Sequence, residues 1–141
     1  MIEITGASVN AKAQPSAIFA RWVDHATWAE WDTDTEWVRL MGPVATGTRG
    51  VMKSKGAPKT KFVISACIPD HEYADTTKLF GATLVFAHWV EPDEDNRGSR
   101  LDVAVTIEGP LAFVWARILG PGFKRSVGAS LDRLVALVEA P

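Results

Sequence analysis

Residues 72–91 read EYADTTKLFGATLVFAHWVE, and the fold turns on how that stretch pairs with itself. On either side of Gly81 apolar side chains recur at every second position, the period of a strand with one buried face. Glu72–Phe80 and Thr83–Glu91 are therefore predicted strands, joined through Gly81-Ala82. So short a connection forces an antiparallel hairpin. It sets Leu79 opposite Leu84, Thr77 opposite Phe86, Asp75 opposite His88 and Tyr73 opposite Val90. A slip of one residue would bring Lys78 against Leu84, so the apolar pattern protects the faces.

The same alternation extends outward in both directions. Further strands are predicted at Ile2–Val9, Glu36–Met41, Thr48–Ser54, Lys61–Ile68 and Arg100–Glu108. The breaks at Gly42-Pro43, Gly56-Ala57-Pro58, Pro69-Asp70 and Asp93 to Gly98 are too short for crossovers, so residues 36–108 form an antiparallel meander. Before it, Pro15 sits where a helix tolerates proline, with Ile18, Phe19 and Trp22 at helical spacing. A second helical turn covers Ala26 to Trp31. After Gly109-Pro110 the helical period returns, and Leu111, Trp115, Ile118, Phe123, Val127, Leu131, Leu134 and Val138 trace one stripe. Gly120-Pro121-Gly122 is expected to kink or split that helix.

A long meander twists and curls. One helix about 10 Å across does not fill the concave face of six or seven strands. The expectation is one α+β domain over residues 1–141. A curved antiparallel sheet of about seven strands wraps a long C-terminal helix, with two short helices after the first strand and an apolar cavity between. Hydrophobic residues at 47% and charged residues at 23% suit a globular chain. A net charge of -2 gives no basic field for nucleic acid or anionic lipid. No apolar run approaches the roughly 20 residues that span a bilayer. A single cysteine and an N-terminus without basic and apolar signal regions point to a cytoplasmic protein.

Period-two sorting turns Phe62, Ile64, Ala66 and Ile68 inward on one strand, and Leu101, Val103, Val105 and Ile107 on the last. Leu84, Phe86, His88 and Val90 face in between them, so one histidine stands on an apolar face. Tyr73, Asp75 and Thr77 are the inward polar residues of its partner strand. A carboxylate beside an imidazole makes it a better base, so His88 backed by Asp75, with Tyr73 as donor, is the candidate catalytic group. The same residues serve equally as structural or ligand-orienting hydrogen bonds. The candidate ligand-binding set is Trp22, Trp28, Trp31, Phe62, Ile64, Thr77, Phe86, Val103, Val105, Trp115, Ile118 and Phe123. Four of the six tryptophans fall between Trp22 and Trp37, which suits the wall of a pocket for a flat apolar ligand. Either face of the strand at 36–41 qualifies as inward, leaving Arg39 undecided.

The ordered series of motifs resembles the helix-grip fold of the START-like (SRPBCC) superfamily, and more narrowly its polyketide cyclase/dehydrase and lipid-transport family. The residues that carry this are Trp28-Ala-Glu-Trp31-Asp32, then Gly42-Pro43 with Gly47-Thr48 and Gly50. Phe62 and Ile64 before Ile68-Pro69 follow, then Phe86-Ala-His88-Trp-Val-Glu91-Pro92. Gly98-Ser-Arg100 and Gly109-Pro110-Leu111-Ala112 complete it. The resemblance spans nearly the whole chain. It implies a deep cavity for apolar or aromatic small molecules and points at His88 as a cavity position without fixing its chemistry.

Three functional expectations follow. The first is a binding protein or carrier for a small apolar or aromatic molecule. The second is a cyclase/dehydrase or isomerase using the Asp75–His88 pair. The third is a protein-interaction module without a ligand, using the basic hairpin and the apolar strip Val85, Ala87 and Trp89, a strip that also suits a homodimer contact. No cofactor is implied. His25 and His71 lie in turn-like surroundings with no metal spacing, and neither a phosphate loop nor a nucleophile elbow is present. Cys67 is expected to face outward, and Lys53, Lys55, Lys59 and Lys61 to form a solvated basic hairpin.

Overall fold

The computed structural model describes residues 1–140. Seven strands form one antiparallel sheet in the order β1-β7-β6-β5-β4-β3-β2, running β1 Ile2–Ala11, β2 Thr35–Leu40, β3 Arg49–Ser54, β4 Lys59–Ile68, β5 Glu72–Leu79, β6 Ala82–Pro92 and β7 Ser99–Glu108. Helix α1 (Pro15–Trp22) and a 3-10 turn (His25–Glu30) follow β1, and α2 (Ala112–Glu139) closes the chain. The predicted meander and both flanking helical regions are present, each within a few residues of its expected bounds.

Pro15 occupies the first turn of α1, where its missing N–H would have no partner anyway. Ile18, Phe19 and Trp22 form the buried stripe of α1. They meet Leu131 and Leu134 of α2, Phe62 and Ile64 of β4, and Trp28 and Trp31 in one core cluster. A second cluster at the other end gathers Ile4, Leu84, Val105, Ile107 and Ala112. Val127 touches both.

Four expectations change. The hairpin register is displaced by two residues: Tyr73 pairs with His88, Asp75 with Phe86, Thr77 with Leu84 and Leu79 with Ala82. The loop is Phe80-Gly81, because Gly81 carries φ 70°, a left-handed conformation that glycine adopts without cost. A two-residue displacement keeps every side chain on its expected face, so the inward set survives while the neighbours change.

The parity of β4 does change within the strand. A bulge between Ile64 and Ala66 inserts one residue. Ile68, expected inward, is half exposed, and Cys67, expected outward, packs against the core. On β2, Val38 and Leu40 face the core while Arg39 lies outside, its guanidinium 5.4 Å from the Trp37 ring centre.

Helix α2 is continuous through Gly120-Pro121-Gly122 rather than split. Its phase therefore carries straight back from Phe123 through Leu119 and Ala116 to Ala112, which pack on the second cluster. Ile118 falls off that stripe and is 63% exposed, so it lines nothing. Trp115 packs beside the second cluster and donates its indole N–H to Phe80 O at 2.7 Å. It pins the hairpin turn to the start of α2. No helix among the described residues is long and apolar enough to cross a membrane.

Candidate functional site

Between the two core clusters the sheet and α2 leave a cavity of about 100 Å³. Trp22, Trp28 and Trp31 supply one aromatic wall, Phe86 and Val103 the floor, and Phe123 with Leu134 the roof. Phe86 meets Phe123 edge-on, ring centres 5.2 Å apart, where floor and roof join. His88, Asp75, Thr35 and Ser54 are the polar residues of the sheet that border it, with Asp32, Asp34 and Ser130 from the turn before β2 and from α2.

Sequence reasoning thus placed eight cavity residues: Trp22, Trp28, Trp31, Asp75, Phe86, His88, Val103 and Phe123. Other candidates are structural neighbours of the cavity. Phe62 and Ile64 are core residues. Phe62 packs flat under Gly50, its pair on β3, where an added Cβ would lie 2.3 Å from the Phe62 ring. Thr77 and Val105 sit farther along their strands, opposite Leu84 and Phe86. Trp115 and Ile118 lie in the first turns of α2, outside the cavity lining.

Asp75 and His88 border the same space, yet they do not bond to each other. The corrected register explains this: His88 stands opposite Tyr73, and its Nδ1 lies 3.2 Å from the Tyr73 carbonyl oxygen. A carbonyl only accepts, so Nδ1 carries the proton and a neutral His88 presents its Nε2 lone pair. Burial, partly countered by that carbonyl, holds the imidazole pKa down to about 4. His88 is neutral at physiological pH.

Asp75 is bonded instead to Tyr73, whose hydroxyl lies 3.1 Å from Asp75 Oδ2. Among the described residues that is the hydrogen bond made by the Asp75 carboxyl. Burial pushes the carboxyl up to about 7; the Tyr73 bond lowers it part of the way, and Asp32 raises it again. Burial also raises Asp32, against the backbone N–H of Asp34, which donates at 3.1 Å, and the nearby hydroxyls of Thr35 and Ser130. Thr35 Oγ1 itself makes no hydrogen bond of good geometry. The cavity border therefore carries three carboxyl groups and no lysine or arginine.

His25 is the residue that sequence reasoning passed over. It is buried, stacked on Trp28 with ring centres 4.5 Å apart, and its Nε2 lies 2.7 Å from the Tyr73 hydroxyl oxygen. The 3-10 turn aims the ring inward because Trp28, three residues on, faces the same way. That spacing was the available signal. Trp28 donates its indole N–H to Trp22 O at 3.0 Å, whereas the indole N–H groups of Trp22 and Trp31 are buried without a partner. Among the described residues no cluster of three His, Cys, Asp or Glu side chains has metal-binding geometry.

The family model described as polyketide cyclase / dehydrase and lipid transport matches residues 1–139. No curated protein matches the chain. Solved structures share its fold at low identity. One is a protein of Mesorhizobium loti, 15% identical with a TM-score of 0.75, the match covering 96% of each chain. Truncated norcoclaurine synthase of Thalictrum flavum is 14% identical, with a TM-score of 0.72 over 97% of this chain and 93% of that one. The di-domain ARO/CYC StfQ of the steffimycin biosynthetic pathway is 12% identical, with a TM-score of 0.75 over 96% of this chain and 50% of that one.

Proposed function

We propose, from the premise that this chain belongs to the polyketide cyclase / dehydrase and lipid transport family, that it holds a small, flat, hydroxyl-bearing aromatic molecule between sheet and α2. The observation that carries this reading is His88. Its Nδ1 is committed to the Tyr73 carbonyl, so a neutral acceptor nitrogen stands in a cavity walled by indoles and phenyl rings. An aromatic O–H is the complementary group.

Size and charge narrow the class. Apolar cavities near 150 Å³ take up benzene, so about 100 Å³ limits the ligand to no more than a single ring. Carboxyl groups at the border and the lack of a basic side chain disfavour anionic ligands. An open cavity also argues for a ligand over a protein-interaction module, which predicts a collapsed one.

Titration of tryptophan fluorescence with phenol, toluene and benzoate tests the reading. Phenol is expected to saturate at the lowest concentration and benzoate at the highest. In His88→Phe the preference for phenol over toluene disappears. Equal binding of benzoate, or no saturation with any of the three, overturns it.

A second reading, proton abstraction next to a carbonyl as in a cyclase or dehydrase, is favoured by one observation. Asp75 is a carboxyl group held up to about 7 at the cavity border, the range in which a general acid or base works best. Exchange of the α-protons of acetophenone in D2O, faster than buffer with wild type and at the buffer rate with Asp75→Asn, is its expected signature. Equal rates for both proteins remove it.

A further inference from the structure

Behind the cavity, Asp75, Tyr73 and His25 form a chain of hydrogen bonds that ends on a backbone carbonyl. Asp75 Oδ2 is 3.1 Å from the Tyr73 hydroxyl oxygen, that oxygen is 2.7 Å from His25 Nε2, and His25 Nδ1 is 3.3 Å from Val23 O. The carbonyl only accepts, so Nδ1 is protonated. Two arrangements of the remaining protons then satisfy every contact. With His25 neutral, Nε2 accepts from the Tyr73 hydroxyl, and the Tyr73 oxygen accepts from a protonated Asp75. With Asp75 ionised, Tyr73 donates to Oδ2, and Nε2 of an imidazolium donates to Tyr73. Both contain the same number of protons. A chain with one proton more, or one fewer, leaves two donors or two acceptors competing for a single hydroxyl.

We propose that Asp75, Tyr73 and His25 are a proton relay that stores one transferable proton and exchanges it with the cavity through Asp75, with His25 and Tyr73 as positioning residues. The inference rests on reading Asp75 as the acid–base group that meets the ligand. A ligand proton arriving at Oδ1 forms an O–H bond there as the O–H bond at Oδ2 breaks. The Oδ2 proton passes to the Tyr73 oxygen, and the Tyr73 proton passes to Nε2. The electron pair of the broken bond stays on the ligand, Asp75 remains neutral, and the positive charge rests on His25. The reverse sequence returns a proton to the product.

The surroundings favour the uncharged arrangement at rest. The His25 ring is covered by Trp28 and Phe62, with ring centres 4.5 and 6.0 Å away. Burial lowers the His25 pKa, the Val23 carbonyl and Asp24 opposing. Burial also raises the Tyr73 phenol, with Asp75 adding to it, so Tyr73 passes protons without ionising. Asp32 faces Asp75 from the turn before β2, Asp24 adjoins His25, and Cys67 lies beside Tyr73 on β4. His88 on β6 commits its Nδ1 to the Tyr73 carbonyl. None of these four hydrogen-bonds to the three relay side chains.

Nitrogen-15 NMR of the histidine rings, from pH 4 to 9 in the ligand-free protein, tests the relay. In wild type the His25 Nε2 signal is expected to shift at the Asp75 midpoint, because the Tyr73 hydroxyl turns there from Nε2 to the ionised Oδ2. Asp75→Asn removes that shift, and so does Tyr73→Phe. A wild-type Nε2 signal that does not move at the Asp75 midpoint overturns the relay. A shift that persists at equal size in Tyr73→Phe also overturns it, because the coupling would then be direct charge rather than the hydrogen-bonded chain. Should either variant fail to fold, wild type decides alone. The Asp75 carboxyl carbon and His25 Nε2 follow one common midpoint in a relay and separate midpoints without it. No ligand enters the experiment, so failure here leaves the binding reading standing.

Discussion

Asp75 places a titratable cost in the middle of the molecule. Its carboxyl is raised from the ordinary 3.8 to about 7 in the folded state, so between those values the native protein binds more protons than the unfolded one. Stability from this group is fully present below the unfolded pKa and is lost as pH rises through the folded one. His88 acts in the opposite sense: held down to about 4, it contributes stability above its unfolded pKa that is lost as pH falls. The two offset each other in wild type between about pH 4 and 6.5, which makes the difference between variants more telling than the wild-type curve. Urea unfolding of Asp75→Asn and wild type at pH 5 and pH 8 is expected to favour the variant at the higher pH. The relative gain is about 2–3 kcal/mol; equal differences at both pH values would contradict the buried-carboxyl account. His88, Asp75 and Tyr73 were legible because period-two sorting finds polar residues on an apolar face. His25 was not, since in a 3-10 turn of six residues the single three-residue step to Trp28 is the whole signal for a buried side.

Elements were legible wherever period and turn chemistry agreed, and hidden wherever one residue changed the phase. The hairpin from β5 to β6 kept its faces but moved by two residues, because Gly81 serves as the second loop residue and not the first. The bulge in β4 has no signature in the pattern around Ser65, and it reverses Cys67 and Ile68. On α2 the predicted stripe ran through Ile118, whereas the helix packs Leu119 on the core and leaves Ile118 exposed. Pro121 is exposed and lacks the N–H that would bond back one turn, so Pro121→Ala is expected to stabilise by about 1–3 kcal/mol in urea unfolding. A loss of stability would show that the proline is needed to seat α2. Gly50 gives the opposite case. Its missing side chain makes room for the Phe62 ring, and Gly50→Ala should cost about 1–3 kcal/mol by overpacking. Gly50→Ala combined with Phe62→Leu should recover part of that loss; no recovery would mean the strain lies elsewhere.

At the scale of the whole molecule, a curled seven-stranded sheet and a single long helix leave room between two core clusters, and the tryptophan-rich segment after β1 closes it. Composition and order of elements carried that architecture, because few arrangements cover a long meander with one helix. Cavity size was not legible, since it depends on how far Phe86 and Phe123 meet across it. Three indoles, those of Trp22, Trp28 and Trp31, border the cavity, while Trp37, Trp89 and Trp115 do not. Titrating phenol into nitrogen-15-labelled protein and following the six indole N–H signals therefore tests the central claim most directly. The account predicts saturable shifts of Trp22, Trp28 and Trp31 with the other three unmoved. Shifts confined to Trp37, Trp89 and Trp115, or no saturable shift at all, would contradict a ligand between sheet and helix.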